Sequence, residues 1–243
     1  MKIKRMNSAL GKKIISLLRN GDYAHPGAEE AIDMVFKNIP KQANRSLLDV
    51  GCGLGGTADY LQKKGYGKVT GVEIDKGILA LAKNKYPELN LILADINEVD
   101  KILNIKFDLI YHFCSFYAFS DQLKALKALR KVAHDKTELI IFDYAVSGSC
   151  RKNTKVIPHP LDLKKIDNMF EISRWEKLEC NDISGYYKKE YADFVSKIKE
   201  KRNEIIRLSD KESYEYVKSS YEKIYGEYCT NGLLAVILKA RAI

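Results

Sequence analysis

The feature that most constrains this chain is a glycine turn between an apolar run and a helical pattern. Residues 47–57 read LLDVGCGLGGT, and a second apolar run, Val69 to Val72, ends in Glu73, twenty residues after Gly53. Strand, glycine loop, helix, strand and acid follow one another in this order in nucleotide-type cofactor sites. The glycines allow a tight turn and a close approach of backbone to ligand, because they have no Cβ.

Three features separate this pattern from the dinucleotide fingerprint of dehydrogenases. Asp49 lies within the first strand, where a dehydrogenase strand is usually apolar. A third apolar run, 89–94, leads into Asp95 and Ile96, and a fourth reads FDLIYHF over 107–113. The alternation of strands and helices predicts a parallel sheet with helices on both faces and its ligand at the carboxyl ends of the strands.

In this order and spacing, LLDVGCGLGG, GVEID, LADI and FDLIYHF resemble the class I S-adenosylmethionine-dependent methyltransferases, strongly over residues 46–144 and loosely elsewhere. The layout is closest to the small-molecule enzymes of that family. The resemblance implies an α/β, Rossmann-like sheet of seven mostly parallel strands, an antiparallel last strand, and a helical insertion before it. It also implies S-adenosylmethionine as cofactor and S-adenosylhomocysteine as product.

The periodicity predicts the position of each element. Strands are expected at 46–50, 68–74, 89–94, 107–113, 138–144, 175–181 and 233–238, and helices at 28–39, 57–64, 77–85, 121–133 and 162–170, with two more within 186–228. One domain, 1–243, accommodates them all. Its expected parts are an arm or lid (1–27), a cofactor-binding core (28–144), a substrate-side loop and helices (145–230) and a closing strand (231–243).

Composition favours a soluble protein, with 46% apolar and 30% charged residues and no apolar run near the length of a membrane span. The five cysteines are odd in number, scattered, and without metal-ligand spacing. We therefore expect reduced thiols, no metal and a cytoplasmic location. Nothing in the sequence specifies an oligomeric state.

The net charge of +9 is concentrated at the start, where residues 1–20 hold six basic residues and no acid. The rest of the chain is nearly balanced, which argues against a nucleic-acid partner and for a small-molecule substrate. Two interpretations of the arm remain open. It forms a solvated amphipathic helix over the cofactor cleft, which we favour, or it contacts phosphate or an anionic membrane surface.

The resemblance also implies roles for individual residues. The backbone of Gly51, Cys52 and Gly53 would pack against the methionine part of the cofactor, and Asp49 would order the loop or hold the amino group. Glu73 would accept hydrogen bonds from both ribose hydroxyls. A helix cap or surface charge is the alternative interpretation for each acid, and Cys52 is expected only to pack.

For the adenine, the resemblance implies a hydrogen bond to Asp95 and a sandwich between Ile74 and Ile96. Phe113, at the end of the fourth strand, completes the predicted cofactor residues. Asp75 is better suited to cap the following helix.

Methyl transfer is an in-line displacement, so the acceptor must be aligned opposite the sulfur and must present a lone pair. By residue type and place, His112 is the first candidate for a base and His25 the second. Each has the alternative of a purely structural hydrogen-bonded imidazole.

Aromatic side chains near the strand ends predict a substrate pocket that would suit an ammonium group. The candidates are Tyr23, Phe116, Tyr117, Tyr144 and Tyr187. At least half of the aromatic residues in this region are expected to be ordinary core residues. Ala118 stands where phosphoethanolamine methyltransferases have a histidine, so that base cannot be transferred to this chain.

Two other functions remain open. An RNA or protein methyltransferase would use the basic arm, although the chain lacks the Asn/Asp-Pro-Pro-aromatic motif of amino-methylating nucleic-acid enzymes. A non-catalytic S-adenosylmethionine-binding protein would keep the glycine loop and the acids without turnover.

Overall fold

The computed structural model describes residues 6–148 and 156–243. Within them one mixed sheet contains eight strands. These are β1 (Ser46–Val50), β2 (Lys68–Glu73), β3 (Asn90–Leu93), β4 (Phe107–Phe113), β5 (Ala133–Val146), β6 (Leu161–Asp162), β7 (Trp175–Asp182) and β8 (Leu234–Ala242).

The described residues also form ten α-helices. These are α1 (Ala9–Arg19), α2 (Ala28–Phe36), α3 (Gly56–Lys63), α4 (Lys76–Lys85), α5 (Val99–Ile102), α6 (Gln122–Lys131), α7 (Ile166–Ser173), α8 (Ser184–Glu200), α9 (Arg202–Leu208) and α10 (Lys211–Cys229). None of these helices has the length and apolar character needed to cross a membrane.

The sheet order is β3-β2-β1-β4-β5-β8-β7, with β6 added beside the end of β5. Strands β1 to β5 pair in parallel, whereas β8 runs antiparallel between β5 and β7. The predicted α/β fold with an antiparallel closing strand is therefore confirmed. The order reverses between β1 and β4, which is where such sheets bind ligands.

Several details differ from the sequence prediction; β8, for example, ends at Ala242 rather than at 238. Strand β5 begins at Ala133, before the predicted 138, because Ala133 pairs with Phe107 across a register shift. The two-residue β6 lies in a stretch with too little periodicity to predict a strand. The insertion has three helices rather than two, because helix α8 ends at Glu200 and helix α9 ends at Leu208. Asp210 then caps α10 by accepting a hydrogen bond from the backbone of Ser213 (2.7 Å).

Apolar side chains bury both faces of the sheet. On one face, α1, α2, α3, α8 and α10 pack against β1, β4 and β5, and on the other α5, α6 and α7 do so. The single tryptophan, Trp175, is 2% exposed in the second layer, where its indole donates to the Leu126 carbonyl (3.1 Å). Each fully buried large apolar side chain contributes about 1.5–3 kcal/mol.

The arm folds into the amphipathic helix α1. Ser8 caps it by accepting from the Gly11 backbone (3.2 Å), and Leu10, Ile14 and Leu18 are buried against the first layer. The first five residues, with Lys2, Lys4 and Arg5 of the predicted basic arm, lie outside the described residues. The helix therefore lies against the body of the protein, with its apolar face inward.

Candidate functional site

The glycine loop connects β1 to α3 at the carboxyl edge of the sheet. Gly51 and Gly53 have φ of 75° and 57°, in the left-handed region that favours glycine. The backbone N–H groups of Gly51 and Cys52 donate to the Val72 carbonyl at 2.9 and 3.0 Å, which ties the loop to β2. The chain can make this turn because these two positions have no Cβ.

Glu73, at the end of β2, is held by three backbone N–H groups. Its Oε2 accepts from Gly53 (3.0 Å), and its Oε1 accepts from Ile74 and Asp75 (both 2.9 Å). The side chain is 6% exposed. A carboxylate has about four acceptor positions, so a fixed Glu73 can still accept from a ligand.

A cavity of about 270 Å³ opens between the ends of β1, β2 and β4. It brings together Gly51, Glu73, Ile74, Asp95 and Ile96 of the predicted cofactor residues. Ile96 is buried, whereas Ile74 is 64% exposed. The result is a partly apolar slot with carboxylates at two positions on its wall.

Asn97 also lines this cavity and was missed by sequence reasoning. Its backbone and side-chain N–H groups donate to Asp95 Oδ1 (2.9 and 3.2 Å), whereas its own Oδ1 is buried without a hydrogen-bond partner among the described residues. A buried acceptor left without a partner marks a place where a ligand N–H would be favourable. The only signal in the sequence was its position two residues after Asp95.

A narrower cavity of about 20 Å³ adjoins the glycine loop. The predicted residues Tyr23, His25, Asp49, Cys52 and Phe113 line it, together with both loop glycines. The structure therefore brings the predicted cofactor residues and two of the predicted substrate or catalytic residues to one edge of the sheet.

Asp49 is 2% exposed, and its Oδ2 makes no hydrogen bond to a described residue. Burial raises the pKa of Asp49 to about 7, an interaction with the Tyr111 hydroxyl opposes that rise, and the charge of Glu73 adds to it. Burial thus favours the neutral carboxyl group, and a cationic neighbour would favour the carboxylate.

His25 lies in the wall of the narrower cavity with both ring nitrogens engaged. Its Nδ1 is 3.1 Å from the Pro26 carbonyl and its Nε2 is 3.1 Å from the Thr57 hydroxyl. Because a carbonyl only accepts, Nδ1 carries the proton and Nε2 accepts from Thr57. Burial lowers the pKa of His25 to about 3, so the imidazole is neutral at physiological pH.

His112 lies on the other face of the sheet, where β4 alternates its side chains. It is fully buried against Phe116 and Phe119, with ring centroids 5.4 and 5.6 Å away, and lines neither cavity. Its Nδ1 is 3.3 Å from the Ser115 hydroxyl, and burial lowers the pKa of His112 to about 3. The structure does not bring this imidazole to the cleft.

The five predicted substrate residues occupy two kinds of place. Tyr23 and Tyr117 line the narrow and the large cavity, respectively. Phe116, Tyr144 and Tyr187 are buried and line neither. The first two therefore remain available to an acceptor, and the other three are interior residues in this conformation.

Tyr144 and Tyr187 belong to a buried tyrosine layer between the sheet and the inserted helices. The Tyr144 and Tyr191 hydroxyls are hydrogen-bonded, and the Tyr187 hydroxyl lies 3.2 Å from the Cys114 sulfur. Cys114, directly after β4, has φ of 52°, which is strained for a residue with a Cβ. The layer thus connects to the edge of the large cavity.

Asp143, on β5, positions the segment after β4 and was also missed. The fully buried carboxylate accepts from the backbone of Phe116 and Tyr144, both at 2.7 Å, and of Tyr117 at 3.3 Å. Burial raises the pKa of Asp143 to about 7 against the effect of these hydrogen bonds. The signal available in the sequence was an acid inside an apolar strand, the same signal that singled out Asp49.

Asp22 fastens the end of α1 beside the site. It accepts from the Ser16 and Tyr86 hydroxyls, both at 2.7 Å, and forms an ion pair with Lys85. Burial would raise the pKa of Asp22, but the hydrogen bonds from Lys85, Ser16 and Tyr86 outweigh it and hold the pKa below the usual value. The arm is thereby fixed over the narrower cavity.

Comparison with known proteins agrees with this geometry. Residues 48–141 match the family model described as a methyltransferase domain. Over these residues the chain is similar to methyltransferases. The matched segment runs from β1 into β5 and includes Asp49, the glycine loop, Glu73 and Asp95.

Among relatives of this chain, a phosphoethanolamine N-methyltransferase of Plasmodium falciparum is 31% identical over 104 residues, which are 42% of this chain and 39% of that protein. The chain thus spans about two fifths of the length of this curated relative.

Two solved structures show how far the fold extends beyond the matched segment. The structure of phosphoethanolamine N-methyltransferase 2 of Haemonchus contortus, in complex with phosphomonomethylethanolamine and S-adenosylhomocysteine, superposes with a TM-score of 0.84 at 15% identity over 98% of this chain and 58% of that one. A putative sarcosine dimethylglycine methyltransferase of Galdieria sulphuraria gives 0.78 at 14% identity over 88% and 84%. The fold, including its inserted helices, is therefore shared.

Proposed function

We propose that this protein transfers a methyl group from S-adenosylmethionine to a small-molecule acceptor, as one domain over 1–243. The observation that carries the proposal is the Glu73 carboxylate, fixed by three backbone N–H groups on the wall of the 270 Å³ cavity. A ribose placed there would donate both hydroxyls to Glu73. The adenine would lie between Ile74 and Ile96, with its amino group near Asp95 or the free Asn97 oxygen.

The residues beside the glycine loop fit the other end of the same cofactor. The Asp49 Oδ2 has no partner among the described residues, and the α-ammonium of the cofactor would supply one. The left-handed turn at Gly51 and Gly53 leaves room for the chain between ribose and amino acid. When bound, S-adenosylmethionine supplies an electrophilic methyl group on a sulfonium ion.

The acceptor would enter where the narrow cavity meets Tyr23, His25 and Phe113. Alignment of the acceptor with the methyl group can supply roughly 7–11 kcal/mol, and the apolar Phe113 ring would exclude water. Neutral His25 can take a proton at Nε2 if the Thr57 hydroxyl turns away. We therefore prefer His25 to His112 as the proton acceptor, because only His25 lines a cavity.

An amine is the acceptor class that we favour. The Tyr23 and Tyr117 rings at the two cavities would attract an ammonium group by about 0.5–2 kcal/mol each. The name of the Plasmodium relative is that of an N-methyltransferase. An RNA substrate has less support, because two basic residues of the arm are engaged within the protein. Lys12 lines the cavities, and the Arg19 guanidinium lies 4.4 Å from the centre of the Phe194 ring.

Calorimetric titration with S-adenosylhomocysteine tests the proposal. We expect micromolar binding to the wild type and binding at least tenfold weaker to Glu73→Ala, because a charge-assisted hydrogen bond contributes about 1.5–3 kcal/mol. Glu88→Ala, at an exposed acid in the turn before β3, is the control. A panel of amines with isotopically labelled cofactor then tests turnover.

Two results would contradict the proposal. One is binding of NADH in place of S-adenosylhomocysteine, which would make the loop a dinucleotide site. The other is tight S-adenosylhomocysteine binding without turnover on any acceptor class, RNA and protein included, which would indicate a non-catalytic binding protein.

A further inference from the structure

Lys12 reaches from the second turn of α1 into the cleft. Lys12 and Gly51 each line both the narrow and the large cavity. A Cβ placed at Gly53 would stand 3.5 Å from the Lys12 Nζ, so the ammonium lies directly over the glycine loop. Its neighbour Lys13, one residue along the same helix, is exposed.

The surroundings of Lys12 are mostly acidic. Glu73 is the strongest charged neighbour and Asp75 a weaker one, with the Cys52 and Cys114 thiols also close. Burial lowers the pKa of Lys12, and these groups oppose that shift. The ammonium makes no ion pair with any described residue, so a negatively charged ligand group would relieve its desolvation.

Asp49 lines the same narrow cavity, and its Oδ2 has no hydrogen-bond partner among the described residues, so its carboxylate would be stabilised by a cationic ligand group. The two side chains come from distant parts of the sequence, an arm helix and the first strand of the sheet. A cationic and an anionic side chain facing one small cavity form a complementary pair for a zwitterion. An α-amino acid is such a zwitterion, with its ammonium and carboxylate on one carbon.

We propose that Lys12 binds the α-carboxylate of the amino-acid part of the cofactor, while Asp49 takes the α-ammonium. This inference rests on the proposed function and goes beyond it, because it makes the arm helix part of the cofactor site. It assigns the arm a role in distinguishing an intact cofactor from one that lacks the amino-acid part. Charge-assisted contacts of this kind are among the stronger hydrogen bonds in proteins.

Comparing two ligands isolates this contact. S-adenosylhomocysteine carries the amino-acid part, whereas 5′-methylthioadenosine keeps the adenosine and the sulfur and lacks it. Lys12→Met keeps the length of the side chain without the charge, and Lys13→Met is the matched control at an exposed position of the same helix. Lys12→Arg tests whether a positive charge alone suffices.

We expect Lys12→Met to weaken S-adenosylhomocysteine binding at least tenfold and methylthioadenosine binding less than twofold, as measured by calorimetry. Lys12→Arg should recover most of the loss, and Lys13→Met should leave both affinities unchanged. A thermal melt of each variant checks that α1 still packs on the sheet.

Three outcomes would overturn the inference while leaving the proposed function intact. The first is unchanged S-adenosylhomocysteine affinity in Lys12→Met, and the second is an equal loss of affinity for both ligands in this variant. The third is tighter binding by Lys12→Met, which would mean that the Lys12 side chain blocks the site beside Gly53. If neither ligand binds the wild type, the proposed function itself fails, and this inference fails with it.

Discussion

The main chain of Gly51 lies so close to Ser115 that a Cβ at position 51 would stand 2.6 Å from the Ser115 Cβ. The Ser115 hydroxyl in turn donates to the Val50 carbonyl, the residue before the glycine. This contact joins the glycine loop to the segment after β4, and so joins the cofactor half of the cleft to its acceptor half.

The close contact makes Gly51 the more sensitive of two comparable glycines. Gly65 has a similar φ (82°, against 75° at Gly51) but nothing within 4 Å of a new Cβ. We expect Gly65→Ala to cost about 1–2 kcal/mol of folding free energy from the backbone alone. Gly51→Ala should cost at least twice as much and weaken S-adenosylhomocysteine binding. Urea unfolding measures the stability of both variants. Equal losses of unfolding free energy would show that the contact with Ser115 does not contribute to stability.

Asp49 should make stability depend on pH. Because its folded pKa is about 7, above the ordinary value of 3.8, the folded state holds a proton that the unfolded state releases between these values. Stability therefore falls as pH rises from 4 to 7, by up to about 1.4 kcal/mol per pH unit. Asp49→Asn removes this loss, so its stability relative to wild type should rise from pH 4 to 7 and then level off.

The difference between wild type and Asp49→Asn is the quantity to measure, by chemical unfolding at several pH values. His25 and His112, whose pKa values are lowered, destabilise the protein below pH 6.5, but they do so in both proteins and cancel. A difference that does not change with pH would mean that Asp49 ionises at its ordinary pKa.

Asp143 should matter for stability more than its distance from the cavities suggests. Asp143→Asn places an amide N–H against backbone N–H donors, and each buried group left unsatisfied costs about 1–3 kcal/mol. We expect a clear fall in Tm and a looser segment after β4, seen as faster amide exchange at Phe116 and Tyr117. Asp193→Asn, on the exposed side of α8, should leave the Tm within about one degree of wild type. Similar effects in the two variants would contradict this role.

Local pattern predicted the core of the fold well. The bounds of β1 and β4 match the structure, because short apolar runs ending in glycine or polar residues leave little choice of register. The position of Glu73 followed from the same pattern. Its three backbone donors did not, because they depend on how the loop at Gly53 folds back onto β2.

The sequence pattern does not determine which side chains from distant parts of the chain face the cleft. His112 and Phe113 are adjacent, and only one of two neighbouring strand residues can face the cleft, but residue type does not reveal which. The sequence predicts a solvated helix over the cofactor cleft for the segment that contains Lys12, but nothing local indicates that this side chain lies near Glu73. The buried positions of Tyr144 and Tyr187 depend likewise on how the inserted helices pack.

The position of Trp175 allows the two faces of the sheet to be followed by different spectroscopic signals. As the only tryptophan, buried beside Leu126 on the side of the sheet opposite the tyrosine layer, it should fluoresce at short wavelength and respond little to a ligand in the cleft. Its emission would report global unfolding, while near-ultraviolet circular dichroism of the tyrosines would report events on the cleft side. Loss of the second signal before the first would reveal that the two layers of the protein unfold separately.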